Sequence, residues 1–161
     1  MTGKFNLFLF MALANVGNGN NPNQPNVILM MADDLGYNDL SCYGSQKIRT
    51  PVLDKLAEEG LRLTDFYAGA TVCTPSRMAL LTGAYPPRLG WNGGVVGYGI
   101  KPVNGLAPEA LTIGEVFRDA GYRTGLIGKW HLGDTVKLHP QNQGFDKTFF
   151  INKSNNQTKK L

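Results

Sequence analysis

"NVILMMADD", residues 26 to 34, is the stretch on which the fold class turns. Val27 to Ala32 is apolar at every position, so both faces of an extended segment here are apolar. That pattern predicts a strand buried on both sides, as in a parallel sheet covered by helices. The next segments carry helix punctuation. "TPVLDKLAEEG" has Thr50 as N-cap, Pro51 at the first helical position and Gly60 after the end. "LRLTDFYA" (61–68) alternates in part and reads as a strand, and "TPSRMALLTG" reads as a helix capped by Thr74 and stopped by Gly83. A Gly- and Pro-rich stretch from Ala84 to Pro108 reads as loop. "TIGEVFRDAG" carries a capping box, Thr112 with Glu115, and "YRTGLIGKWH" returns to a strand. Alternating strands and helices predict an α/β fold with a mainly parallel sheet flanked by helices.

The chain has 161 residues, 42% hydrophobic and 17% charged, which suits one ordinary globular core. Its formal charge of +4 owes three units to Lys153, Lys159 and Lys160 in the tail "INKSNNQTKKL". No arginine-rich stripe interleaves with aromatics, so nucleic acid is not an expected partner. At the other end, Lys4 precedes an apolar run from Phe5 to Leu13, and Ala12-Leu13-Ala14 fits a small-x-small cleavage site. Residues 1–25 therefore read as a signal peptide and unstructured leader, with export to a secreted, periplasmic or lysosomal-type compartment. The run is too short to span a bilayer.

In an open α/β sheet, ligands bind beyond the carboxyl ends of the strands. Two polar clusters stand there: Asp33-Asp34 after the first strand, and Lys129-Trp130-His131 after the last. Adjacent carboxylates serve one centre only if the strand has ended and the backbone turns, which Gly36 permits. A hard cation would offset their charge; a plain turn pair is the alternative. Cys73 sits at the start of a helix, where unpaired N–H groups favour an anion, and Arg77 one turn on adds a planar cation. A small buried cysteine is the plain alternative. Lys129 and His131, two apart, would share one face of an extended segment and suit a multiply charged oxyanion, with Trp130 packing on the other face.

These residues carry a resemblance. "VCTPSRMALLTGAYP" (72–86) resembles the sulfatase signature C-x-P-S-R with its following T-G, and "GYRTGLIGKWHLG" (121–133) resembles the second sulfatase signature. "NVILMMADDLGYNDLSCYG" (26–44) resembles the family's opening strand and Asp pair, and "TPVLDKLAEEGLRLTDFYA" (50–68) the segment between. "QGFDKTFF" (143–150) is still similar to the family. The resemblance implies an alkaline-phosphatase-like α/β fold, incomplete in this chain. Residues 26–150 would form the N-terminal part of a sulfatase catalytic domain, and 151–161 a polar tail outside the pattern.

The resemblance further implies that Cys73 is converted to formylglycine by a formylglycine-generating enzyme that recognises C-x-P-x-R. One hydroxyl of the hydrated aldehyde would attack the sulfur of a sulfate ester, and the other would expel sulfate. Asp33, Asp34 and residue 73 would ligate Ca2+, with Mg2+ the less suited ion. Arg77 would hold the formylglycine, while Lys129 and His131 would bind the sulfate and the ester oxygen. The substrate would be a sulfated small molecule or carbohydrate, with Trp91 and Tyr98 suited to a sugar-facing rim. Two other readings stay open. One is hydrolysis of phosphonate or phosphate monoesters within the same superfamily. The other is a truncated, non-catalytic anion- or metal-binding product, whose Cys73 stays a thiol or bridges to Cys42.

Overall fold

A computed structural model describes residues 9–14, 24–96 and 105–152, the first of these segments by its backbone alone. The chain forms two compact units, Met1–Tyr67 and Ala68–Leu161. Tyr98 and most of the polar tail lie outside the described residues.

In the N-terminal unit, strand β1 (Leu9–Ala14) pairs antiparallel with β2 (Asn26–Met31), Leu9 opposite Met31 and Ala14 opposite Asn26. The expected doubly buried parallel strand is therefore not what β2 forms. It alternates, with Ile28 and Met30 exposed, because its described partner is a single antiparallel neighbour rather than a covered sheet. Helix α1 (Pro51–Glu59) starts at Pro51, as its punctuation requires. Thr50 does not cap it in the ordinary way. Its hydroxyl donates to the Asp54 carboxylate at 3.0 Å, and Ser41 Oγ and the Cys42 amide reach the same carboxylate at 2.6 and 2.8 Å. Three donors on one carboxylate hold Asp54 below the usual carboxylate range, the Ser41 hydroxyl contributing most. Residues 61–68 form no strand. Partial alternation there finds no strand to pair with among the described residues, and Leu61, Leu63 and Tyr67 are exposed.

The C-terminal unit holds helices α2 (Cys73–Thr82) and α3 (Ile113–Asp119) and the parallel pair β3 (Gly125–Lys129) and β4 (Lys147–Ile151). Gly83 ends α2 in the left-handed conformation, its N–H bonded to the Ala79 carbonyl. Thr112 and Glu115 form the expected capping box at the start of α3. Between β3 and β4 the chain returns through two short 3-10 turns, and a clasp at Thr124 sets the register. Its hydroxyl donates to the Gly144 carbonyl at 2.7 Å, and its amide donates to the Asp146 carboxylate at 3.0 Å. The Gly-Phe-Asp run is thus a structural lock.

Met78, Trp91, Val96, Leu106, Trp130, Leu132 and Phe145 make the core of this unit, Trp130 meeting Phe145 edge to face at 6.1 Å. Trp130 packs as expected, its indole N–H on the Leu138 carbonyl. Trp91 belongs to the same core and donates to the Gly94 carbonyl, so it is no part of an exposed rim. Across the β3–β4 register, Ile127 and Phe149 face each other and are exposed.

Candidate active site

Cys73 is the first residue of α2, preceded by an extended Val72. Thr74, the expected cap, lies inside the helix. The first turn is buried from Thr74 to Met78, polar residues included, so its Thr and Arg side chains need partners within the protein. They find them on one segment, the end of β3. Arg77 Nη1 donates to the Lys129 carbonyl at 2.7 Å, and the Thr74 hydroxyl donates to the His131 carbonyl at 2.9 Å. The same segment sends a side chain back: Lys129 Nζ donates to Cys73 Sγ at 3.2 Å.

Beyond Lys129 the chain does not continue as a strand. His131 takes a left-handed conformation, φ 57°, which costs a non-glycine residue about 1–2 kcal/mol. The expectation that Lys129 and His131 share a face by strand alternation therefore fails, and a turn sets their directions instead. The turn is over-determined. The Trp130 amide donates to the Ile151 carbonyl, and the Leu106 amide donates to the Leu132 carbonyl at 2.7 Å. Gly105 bridges Gly133, and a Cβ on Gly105 would stand 1.9 Å from the Leu132 oxygen.

His131 is 1% exposed. Its Nε2 lies 3.2 Å from the Val96 carbonyl oxygen, which can only accept, so Nε2 carries the proton. Nδ1 is then a bare acceptor, buried and without a hydrogen-bond partner among the described residues. Burial pushes the imidazole below its ordinary pKa, and the Lys129 and Arg77 charges add to that, while the Val96 bond and Asp134 oppose it. The site thus pairs two fixed cations with a neutral histidine, next to a helix N-terminus and a thiol. That arrangement can attract an oxyanion and accept one proton.

Cys73, Arg77, Lys129 and His131 come together in the C-terminal unit. Asp33 and Asp34 belong to the N-terminal unit, where both are exposed and Asp34 takes φ 58°. The strand has ended and the backbone turns there, as a shared use of both carboxylates requires. Their oxygen donors suit a hard cation, but two carboxylates fall short of a calcium shell of roughly six to eight oxygens. Among the described residues, no cluster of three or more His, Cys, Asp or Glu side chains forms a metal site. Cys42 and Cys73 are both free thiols, so no bridge joins them. Sequence reasoning missed Val96 and the true task of Thr74, because both act through bonds to residues remote in the chain.

The sulfatase family signature matches residues 25–160. This chain is 48% identical over 135 residues to steryl-sulfatase of Mus musculus, covering 78% of this chain and 22% of that protein. It is also 48% identical over 135 residues to arylsulfatase A of Homo sapiens, covering 83% and 26%. Among solved structures, Ps i-CgsB superposes with a TM-score of 0.65 at 40% identity, over 73% of this chain and 26% of that one. The same protein in complex with k-i-k-neocarrahexaose superposes equally well, TM-score 0.65 at 39% identity, over 73% and 26%. The chain belongs to the sulfatase family, and its parallel pair with flanking helices is part of that family's α/β fold. It spans about a quarter of the length of these relatives.

Proposed function

We propose that this chain supplies the nucleophile end of a sulfatase active site, in which residue 73 works as formylglycine to hydrolyse sulfate esters. The observation that carries the reading is the contact between Lys129 Nζ and Cys73 Sγ at the N-terminus of α2. The thiol sulfur stands where an aldehyde oxygen would be, so Lys129 would hold that oxygen and the incoming sulfate. Arg77 is engaged on the Lys129 carbonyl, which makes it a brace for Lys129 as much as for residue 73. His131 Nδ1 would accept the proton that a neighbouring hydroxyl gives up. Asp33 and Asp34 would hold Ca2+, in preference to Mg2+, together with further oxygen donors. When present, the hydrated aldehyde supplies two hydroxyls on one carbon and the cation supplies charge against sulfate oxygens.

The substrate would be a sulfated small molecule or carbohydrate, the latter supported by the oligosaccharide bound to the Ps i-CgsB relative. Maturation would need a formylglycine-generating enzyme that recognises Cys73, Pro75 and Arg77 and converts Cys73. The Phe5–Leu13 run with Ala12-Leu13-Ala14 supports export with cleavage of the leader, and cleavage after Ala14 would remove β1 from its pairing with β2. Among the described residues, no helix is long and apolar enough to cross a membrane.

The test combines chemistry and turnover on the protein from its own source. An aldehyde-specific probe should label residue 73, and an aryl sulfate should be cleaved in preference to an aryl phosphonate. Phosphonate preference would move the reading to the neighbouring reaction. A free thiol at Cys73 with no turnover would make this a non-catalytic product.

A further inference from the structure

Thr74 occupies the open position of the C-x-P-S-R run. Its side chain is wholly buried, and it caps no helix. A hydroxyl can donate one hydrogen and accept another, and here both capacities are used. It donates to the His131 carbonyl at 2.9 Å and accepts from the Val96 amide at 3.0 Å. The Val96 carbonyl in turn accepts from His131 Nε2 at 3.2 Å. Three segments far apart in sequence are closed into one circuit, and the hydroxyl is its only side-chain oxygen.

We infer that Thr74 is a positioning residue for His131: its hydroxyl closes the circuit that keeps the imidazole as the Nε2–H tautomer with Nδ1 an unprotonated acceptor. Val96 holds the ring through its carbonyl, and Thr74 fixes Val96 through its amide. Thr74 also pins the peptide that follows His131 at its left-handed turn. Remove the hydroxyl, and the Val96 amide and the His131 carbonyl both lose the partner that fixes them. The ring is then free to rotate and exchange Nδ1 with Nε2. The catalytic consequence rests on the sulfatase reading above; the tautomer does not.

The chain has two histidines, His131 and His139, so long-range 15N NMR of the imidazoles can be assigned with one variant, His139→Gln. For His131 in the unsubstituted chain, the nitrogen correlated with both ring carbon-bound protons, Nε2, should carry the hydrogen. Thr74→Val, which keeps the shape and removes the hydroxyl, should give a mixture of tautomers, and Thr74→Ser should restore the single one. A wild-type His131 protonated on Nδ1, or a Thr74→Val spectrum identical to wild type, overturns the inference. If Thr74→Val does not fold, Thr74→Ala is read in its place, and a single Nε2–H tautomer in that variant overturns the inference.

Activity is a separate readout. Thr74→Val leaves Cys73, Pro75 and Arg77 in place, so aldehyde content can be matched before rates are compared. With matched aldehyde, kcat on an aryl sulfate should fall about 10- to 100-fold with KM changed less than about threefold, and Thr74→Ser should recover most of it. An unchanged kcat overturns the positioning role. If no variant, wild type included, turns over a sulfate ester while the tautomers behave as stated, the proposed reaction fails and the positioning of His131 stands.

Discussion

Two strand ends in this molecule use the same backbone device and secure it differently. Asp34 follows β2 and His131 follows β3. They are the only non-glycine residues with positive φ among the described residues, at 58° and 57°. The turn at Asp34 leads into contacts that are local: the Gly36 amide donates to the Asp39 carboxylate at 2.6 Å, and the Asp39 amide returns to the Gly36 carbonyl. The turn at His131 is held by Thr74, Val96 and Leu106, each at least 25 positions away in sequence. Asp34 is exposed and His131 is buried. Left-handed conformers persist where the surroundings impose them, and such strain gathers at functional sites. The difference says what each site can tolerate: an exposed carboxylate can adjust to a ligand, whereas the histidine is fixed before any ligand arrives.

The sharpest way to break the comparison is to attack the remote support. Gly105→Ala would drive a Cβ to 1.9 Å from the Leu132 oxygen, against backbone that cannot yield. The expected loss is about 3 kcal/mol or more, read by denaturant unfolding, because the bridge to Gly133 and the Leu106–Leu132 bond must both open. Stability within about 0.5 kcal/mol of wild type would mean that the turn at His131 does not depend on that support.

Replacing each left-handed residue by glycine separates strain from packing. Asp34→Gly removes an exposed side chain from a conformation that glycine accepts freely, so stability should rise by up to about 1 kcal/mol. His131→Gly relieves the same strain but empties a buried position and abandons the Val96 carbonyl, so stability should fall by about 2–3 kcal/mol. Equal signs for the two substitutions would erase the distinction drawn here.

That distinction also marks how much the sequence could reveal. Local devices were legible: the Thr112–Glu115 box, the Gly83 stop and the Pro51 start all follow from residues within one turn of each other. Cys73, Arg77, Lys129 and His131 stood out through the motifs they share with the sulfatases, and the structure groups them around α2 and the end of β3. The readings that failed each depended on a partner elsewhere in the chain. The burial of β2 and the strand at 61–68 needed neighbours that alternation alone cannot supply. The shared face of Lys129 and His131 assumed a strand that ends at Lys129. Thr74 looked like a cap because Ser/Thr before a proline usually is one, and its use on His131 and Val96 is a tertiary fact. Trp91 resembled a rim residue until its core contacts were known.

The smallest expected effect distinguishes the two units by pH. Asp54 in the N-terminal unit has a lowered pKa, so its stabilisation is present above the unfolded carboxylate value of about 4 and is lost as pH falls through the folded one. Asp146 in the C-terminal unit is lowered as well, chiefly by the Thr124 amide, and gives that unit the same acid limb. His131 adds a limb the N-terminal unit lacks. Its folded pKa is lowered by burial, so the unfolded chain takes up the proton first. Stability is therefore complete above about pH 6.5 and declines as pH falls from there toward the folded value. Thermal melts of wild type between pH 8 and 5 should show the decline, and His131→Gln, though less stable throughout, should flatten it. Asp54→Asn should leave that window unchanged and lessen only the acid limb below about pH 4. A His131→Gln slope equal to wild type would mean that the buried imidazole accepts its proton as readily folded as unfolded, and Nδ1 would then not be the bare acceptor the geometry describes.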